Sequence, residues 1–288
     1  MMALRDTARA KLNLTLEVLG RRADGYPEVR GLVAFTELGD SLELEPGRGL
    51  ALAIEGPFAG TLRGDNLITV AAEAARTIVP GVRLGGFRLF KALPVAAGLG
   101  GGSADAAAAL RLLARANPGA LSPSALAEIA ARIGSDVTAC LKGRPALMTG
   151  RGETVTPVQD MPPCAVLLVN PGTPLTTANV YGTLNAAPFC GEEPQAAPDF
   201  SGSFARLIGY AAPRGNDLEA AALRLAPVTG EILAALQRLD GARLVRMAGS
   251  GPTCFTLFAT QAEAKEAAAE LRAHHPNWWI EATMLLPN

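Results

Sequence analysis

The sequence predicts an α+β protein of two domains, and three observations carry that prediction. Strand-like patterns dominate residues 11–90: Lys11 to Val18 alternates polar and apolar, and apolar runs follow at 29–36, 41–45, 50–54 and 82–90, each bounded by Gly, Pro or Asp. From Ser103 the pattern changes to Ala-rich helix, and helices and strands then alternate to the end. Finally, 288 residues is long for one domain, and a composition change near 150–163 divides the chain into 1–155 and 156–288.

Each element has a local cause. In the first strand Leu12, Leu14, Leu16 and Val18 take the core face, which leaves Lys11, Asn13, Thr15 and Glu17 on the opposite one. Asp24-Gly25 supplies a turn. Residues 66–79 read as a helix with Asp65 or Asn66 as cap and Pro80-Gly81 as stop. The Ala-rich helix runs from Ser103 to about Ala116, where Asn117-Pro118-Gly119 halts it. Ser122-Pro123 opens a second helix that Gly134 ends, and Asp136 starts a short third one reaching about Leu141. Ala165 to Val169 is a buried strand, and 186–203, rich in Pro, Gly and Ala without periodicity, reads as an exposed loop. Helical patterns follow at 217–238, strands near 243–247 and 253–259, an amphipathic helix at 261–273 and a last strand near 278–285.

Composition removes several function classes. With 26 Lys plus Arg against 27 Asp plus Glu, the chain lacks the basic excess of a phosphate-backbone reader, so no nucleic-acid partner is expected. The two histidines, His274 and His275, are adjacent, which makes a Ser-His-Asp triad or a His-rich metal site hard to build. The four cysteines show no CxxC spacing and read as buried free thiols in a reducing compartment. The N-terminus has no continuous apolar segment, and no run of about 18 apolar residues occurs, so the expectation is a cytoplasmic protein without a membrane partner.

The most specific feature is residues 94–104: Pro94, Val95, Ala96, Ala97, Gly98, Leu99, Gly100, Gly101, Gly102, Ser103 and Ala104. Four glycines in five residues, set between a strand and a helix, let the backbone approach a ligand closely, and the N–H groups and dipole of the helix start favour an anion. Phosphate is the natural guest. A Walker-type loop is excluded because no Lys follows the glycines, and GxGxxG fails because Ser103 holds its last position.

This loop resembles the second signature motif of the GHMP small-molecule kinases. Ala10-Lys11-Leu12-Asn13-Leu14, Gly20 to Tyr26 and Gly39-Asp40 are similar to the N-terminal signature of the branch whose acceptor is a cytidine-diphosphate-linked methylerythritol, and Met247 to Thr253 resembles the family's third motif, a second Gly-rich turn near the phosphates. The resemblance implies a two-domain GHMP kinase fold with the active site in the cleft between domains. It implies ATP with Mg²⁺ as cofactors and phosphorylation of the acceptor's 2-hydroxyl, a step of the non-mevalonate isoprenoid pathway. By position Lys11 and Asp136 match the catalytic pair: Asp136 orients or deprotonates the attacking hydroxyl, and Lys11 holds that carboxylate ionised and steadies developing charge. The 94–104 loop holds ATP, with Asn13, Tyr26 and Tyr181 on the acceptor side, the two tyrosines able to stack on the base. The metal ligands and the oligomeric state are left open.

Other readings stand beside these. Asp136 serves as helix N-cap, as base, or as both, and Ser103 either caps the helix or helps hold Mg²⁺ and phosphate. Asp105 is favourable one turn into the helix by dipole alone, and Asn66 and Lys91 line the nucleotide pocket or are polar surface residues. The activity has two alternatives, a GHMP-class kinase for another small alcohol and a non-catalytic nucleotide-binding member; Asp24-Gly25-Tyr26 argues against the first and the pair Lys11 and Asp136 against the second. Two departures from the family pattern matter. Pro27 stands where the motif carries His, which removes an imidazole and a backbone N–H, and Val137-Thr-Ala-Cys140 replaces a segment that usually has Val-Pro and a Phe.

Overall fold

The computed structural model describes residues 3–62, 64–191 and 195–287. In chain order the strands and helices are β1 (Leu4–Asn13), β2 (Glu17–Arg21), β3 (Pro27–Gly47), β4 (Leu50–Glu55), α1 (Leu67–Ile78), β5 (Leu84–Phe90), α2 (Gly101–Ala116), α3 (Pro123–Ile133) and α4 (Ser135–Lys142). There follow β6 (Ala146–Thr149), β7 (Thr154–Pro157), β8 (Cys164–Asn170), α5 (Thr177–Gly182), α6 (Phe204–Ala211), α7 (Glu219–Leu225), α8 (Val228–Gln237), β9 (Val245–Met247), β10 (Cys254–Phe258), α9 (Gln261–His274) and β11 (Trp279–Leu285). The α+β class is the predicted one. The chain packs into two compact units of interleaved segments: one takes the chain up to Ala10, Gly39–Val95 and Gly100–Gly143, the other Lys11–Leu38, Ala96–Leu99 and the chain from Arg144 onward. A division at 155/156 does not follow these units, because residues 11–38 and 96–99 pack with the later part of the sequence.

In the first unit the second half of β3 pairs antiparallel with β5, from Ser41↔Phe90 to Gly47↔Leu84, and β4 runs parallel to β5. The apolar runs 29–36 and 41–45 form one strand, β3, instead of two. Gly39 makes that possible, since a Cβ there would lie 2.4 Å from the Ala8 carbonyl oxygen. Helices α1, α2, α3 and α4 pack together, and α2 is buried along most of its length, with Ala104 and Ala106 to Ala109 all inaccessible. Asn66 caps α1 by accepting from the Ile68 N–H at 2.9 Å. Arg111 of α2 bonds Asp6 at 2.8 Å and the Cys140 carbonyl at 2.9 Å, tying β1 and α4 to one helix.

Beneath the start of α2 lies a buried ionic cluster. The Lys91 ammonium donates to Asp40 Oδ2 at 2.6 Å and to Asp105 Oδ2 at 2.7 Å, and Asp40 Oδ1 also accepts from the Ala92 and Leu93 N–H groups. All three side chains are 3% exposed or less. One cation faces two carboxylates here. Asp40 is satisfied by backbone donors, whereas Asp105 Oδ1 has no hydrogen-bond partner. Burial therefore pushes the Asp105 carboxyl up, to about 7, with Asp40 adding to the rise and Lys91 opposing it. The carboxylate pair in turn raises Lys91 against its own desolvation. Lys91 and Asp105 are thus core residues, neither surface polar groups nor a simple complement to the helix dipole.

The second unit is built on β8, every residue of which is buried. It pairs antiparallel with β10, from Cys254↔Val169 to Phe258↔Ala165, and with β11, from Trp279↔Asn170 to Leu285↔Cys164. β9 extends the sheet beyond β10, β11 meets β3 at Leu285↔Thr36, and β2 and β6 add to β3. Leu167, Val169, Ile232, Leu236, Phe258 and Leu271 form its core with α8 and α9, and α9 carries a full capping box between Thr260 and Glu263. The predicted helical stretch 217–238 is split into α7 and α8 by Pro227. The described residues of 186–203 form no helix or strand, though Phe200 is buried among them, and residues 192–194 lie outside the description. Cys140, Cys164 and Cys254 are buried free thiols as expected, but Cys190 is exposed in this loop.

A raised folded-state carboxyl contributes stability at low pH that is lost as pH climbs from the ordinary carboxylate range through about 7. Asp105→Asn removes that titration. The variant is therefore expected to gain on the parent between pH 5 and pH 8 in urea midpoint; a difference that does not move with pH would show Asp105 to be ionised throughout.

Candidate active site

The polar face of the first strand is not a solvent face. Lys11, Asn13 and Thr15 are as buried as Leu12, Leu14 and Leu16, and β1 ends at Asn13, with the Leu14 and Thr15 N–H groups both directed at the Leu32 carbonyl. Lys11 and Asn13, two residues apart, share a face, and the Lys11 ammonium donates to Asn13 Oδ1 at 2.9 Å. The Lys11 N–H donates to the Leu99 carbonyl at 2.9 Å, so the strand end is fastened to the Gly-rich loop.

That loop is closed by the second Gly-rich turn, backbone against backbone. Gly98 has φ +75°, and a Cβ on it would lie 2.1 Å from the Ala248 carbonyl oxygen and 2.7 Å from the Gly251 nitrogen. Gly249 has φ +52°, and its Cβ would lie 2.8 Å from the Gly98 oxygen and 3.4 Å from Asn13 Oδ1. The Thr253 N–H bonds the Ala97 carbonyl at 3.3 Å and the Leu175 N–H the Ala96 carbonyl at 3.0 Å. The second turn is held from behind by Asn216, whose amide donates to the Met247 carbonyl at 2.9 Å and the Gly249 carbonyl at 2.8 Å while accepting from the Leu218 N–H at 3.0 Å. Arg246, buried, donates to the carbonyls of Leu14 at 2.8 Å and Ala211 at 3.0 Å. Neither Asn216 nor Arg246 was singled out from sequence, since a lone Asn and one Arg among many carry no spacing signal.

Past Leu99 the chain enters α2. Its N-cap is Gly100 at φ +63°, and the first intrahelical bond runs from the Ala104 N–H to the Gly100 carbonyl. The helix therefore begins at Gly101, two residues before the predicted Ser103, and Ser103 is its third residue and not its cap. The amides of Gly101, Gly102 and Ser103 precede that first bond, which is the arrangement that binds an anion. Small residues keep this end open: a Cβ on Gly101 would meet Lys91 Nζ at 3.2 Å, so the buried cluster lies directly under the first turn.

Asp136 is the second residue of α4, half-buried. The N-cap is Gly134, and no side chain caps the helix. The capping reading of Asp136 therefore falls away, and its carboxylate lies in the first turn of α4, where the helix dipole favours a negative charge. Lys11 and Asn13 belong to the second unit and Asp136 to the first.

Around Tyr181 lies a cavity of about 290 Å³, near the lower limit for small-molecule sites. Val18, Arg21, Gly25, Pro27, Tyr181 and Leu184 are among the residues that line it. Tyr26, at the tip of the hairpin joining β2 to β3, is 56% exposed, with the Arg151 guanidinium 5.1 Å from its ring centre. Pro27 opens β3, where a missing N–H is tolerated. Among the described residues no group of three or more His, Cys, Asp or Glu side chains is placed to hold a metal ion, and no helix is long and apolar enough to cross a membrane.

Two Gly-rich turns locked together backbone against backbone suit a phosphoryl group, and comparison with known proteins gives the class. The family model for the GHMP kinase N-terminal domain matches residues 66–144 and that for the GHMP kinase C-terminal domain residues 197–277. The chain belongs to the GHMP kinases. Its relatives include 4-diphosphocytidyl-2-C-methyl-D-erythritol kinases from Rhodopseudomonas palustris strain BisA53, 45% identical with 98% of both chains covered, and from Parvibaculum lavamentivorans, 47% identical with 96% of this chain and 97% of the relative covered. A crystal structure of 4-(cytidine 5'-diphospho)-2C-methyl-D-erythritol kinase superposes with TM-score 0.76 at 34% identity over 98% of this chain and 99% of that one. Homoserine kinase from Cytophaga hutchinsonii shares the fold, with TM-score 0.72 at 18% identity over 99% and 95% of the two chains.

Gly98→Ala would force a positive φ and a backbone clash on a residue with a side chain. The expected outcome is a KM for ATP at least about tenfold higher, together with a lower thermal midpoint. Unchanged ATP affinity would show that the close approach at Gly98 does not shape the nucleotide site.

Proposed function

We propose that the protein transfers the γ-phosphoryl group of ATP to the 2-hydroxyl of 4-diphosphocytidyl-2-C-methyl-D-erythritol. The observation that carries this reading is the pair of Gly-rich turns locked backbone to backbone at Gly98 and Gly249, a shape that lets a phosphate approach closely. ATP lies along residues 94–104. Mg²⁺ arrives with the nucleotide, which supplies much of its coordination through phosphate oxygens and water; Ser103, the one hydroxyl in that stretch, is the side chain assigned to it. When bound, the metal neutralises charge on the phosphates.

The chain's own residues do the rest. Asp136 accepts the proton of the attacking hydroxyl as the new O–P bond forms and the bond to the β-phosphate oxygen breaks, releasing ADP. Lys11 offsets the charge that develops on the transferring group, and Asn13, bonded to Lys11, fixes its ammonium and meets the polyol. The cytosine occupies the cavity beside Tyr181, with Tyr26 stacking over it from the hairpin tip. A cavity lined by the Tyr181 ring favours a nucleotide-bearing acceptor over a bare alcohol such as mevalonate or homoserine. The free thiols of Cys164 and Cys254 suit a reducing cytoplasm.

The test is ADP release from Mg-ATP with the cytidyl substrate, beside mevalonate, homoserine and galactose. Turnover with the cytidyl substrate alone is expected, and turnover only with another alcohol would overturn the acceptor. Asp136→Asn is expected to fold and bind ATP with kcat lowered about 10²- to 10⁴-fold; near-parental kcat would take Asp136 out of the mechanism.

A further inference from the structure

We infer that Arg21 is the residue by which this enzyme tells a cytosine from a uracil in its acceptor. The inference rests on the reading above, in which the cavity beside Tyr181 holds the base. Its lining offers few groups able to read a base edge. Val18 and Leu184 are apolar, Gly25 has no side chain, and Pro27 has neither a polar side chain nor an N–H. Tyr181 brings a ring face and one hydroxyl. Arg21 is the one charged side chain among the lining residues, and it carries five donors in a planar fork.

The hairpin aims that fork. Arg21 and Pro27 are directly paired across β2 and β3, so their side chains share a face about 5 Å apart. The turn between them is closed by the Arg22 N–H to the Tyr26 carbonyl at 2.8 Å and the Gly25 N–H to the Arg22 carbonyl at 3.0 Å. Arg21 Nη1 reaches the Gly25 carbonyl at a long 3.4 Å. Among the described residues no carboxylate is paired with Arg21, in contrast to Arg22, which pairs with Glu28, and Arg30, which pairs with Glu17. Its other donors remain available to a guest.

Chemistry then selects the guest. Cytosine presents two adjacent acceptors, N3 and O2, which match two parallel N–H donors of a guanidinium. Uracil presents an N3–H in place of that acceptor, which sets donor against donor and leaves one hydrogen bond. A bidentate contact of this kind discriminates by about 5- to 150-fold.

The experiment measures kcat/KM with the cytidyl substrate and its uridyl counterpart, and inhibition by CDP and UDP, for the parent, Arg21→Gln and Arg21→Lys. Arg21 is exposed, so the variants should fold, and thermal midpoints check this. The parent is expected to favour cytidine in both assays. Arg21→Gln and Arg21→Lys should each cut that preference about tenfold or more, through KM and with kcat little changed. A preference unchanged in both variants, or affinity for CDP and UDP lost equally, would overturn the inference, the latter by assigning Arg21 to the diphosphate. Equal use of both bases by the parent would overturn it too. If the parent turns over neither substrate the acceptor assignment fails, and direct calorimetric binding of CDP against UDP to the parent and both variants then decides Arg21 alone.

Discussion

Everything chemical in this molecule depends on one close approach, that of Gly98 to the turn Ala248–Gly251. A methyl group at Gly98 would lie 2.1 Å from a carbonyl oxygen, and one at Gly249 2.8 Å from another, so the two turns meet only because neither has a side chain to keep them apart. The contact brings residues 96–99 next to residues 248–251, and the bond from the Lys11 N–H to the Leu99 carbonyl brings the end of β1 to the same place. Three segments far apart in sequence thereby share one point. Backbone contacts are not all that holds them, since Ala97, Leu99 and Ala248 are buried with the core. They are also held from behind, by the amide of Asn216 on the Met247 and Gly249 carbonyls and by the guanidinium of Arg246 on Leu14 and Ala211. Buried polar groups so fully bonded specify a geometry more than they add stability.

The same economy governs charge. Only four lysines exist, and two are buried. Lys11 donates to the neutral amide of Asn13, whereas Lys91 is committed to Asp40 and Asp105 under the first turn of α2. A cluster of one cation and two carboxylates carries an excess negative charge that burial resists, and the raised Asp105 carboxyl is the response. Its place below Gly101 matters. A fully ionised cluster there would oppose a phosphate at the same helix start, and a proton on Asp105 removes that opposition.

The legible parts of the sequence were those set by local chemistry. Asn66 as cap, Ser122-Pro123 and the Thr260 box announce helix starts, and the Ala-rich and β-branched runs announce α2, β8 and β10, because each signal lies within a few residues of what it determines. Short elements such as β6, β7, α5 and α6 are too brief to show a period. That the polar face of residues 11–15 is buried is not legible from the pattern, because alternation reports a difference between two faces and not what covers the second one. The interleaving of the two units was equally hidden, since it arises where Leu99 meets Lys11 and Gly98 meets Ala248, contacts between residues tens to hundreds of positions apart. At the site, the glycines and the Lys11–Asn13 face were visible from spacing. Asp105, Asn216 and Arg246 were not, because their partners are backbone carbonyls or charges that only folding brings near.

A division of labour follows from where the parts sit. The phosphate cradle is made of backbone and is held by buried amides and carbonyls, so almost any change there disturbs several segments at once. The hairpin from Arg21 to Pro27 is different. It is exposed at its tip and closed by two backbone bonds and local side-chain contacts, among them Arg22 to Glu28 and the Tyr26 N–H to Asp24, and its residues Arg21, Gly25 and Pro27 line the cavity beside Tyr181. Under the proposed function, acceptor recognition falls on the exposed hairpin and phosphoryl transfer on the buried, backbone-held turns. The architecture itself is shared with homoserine kinase at only 18% identity, and Pro27 takes β3's first position, where a missing N–H is tolerated.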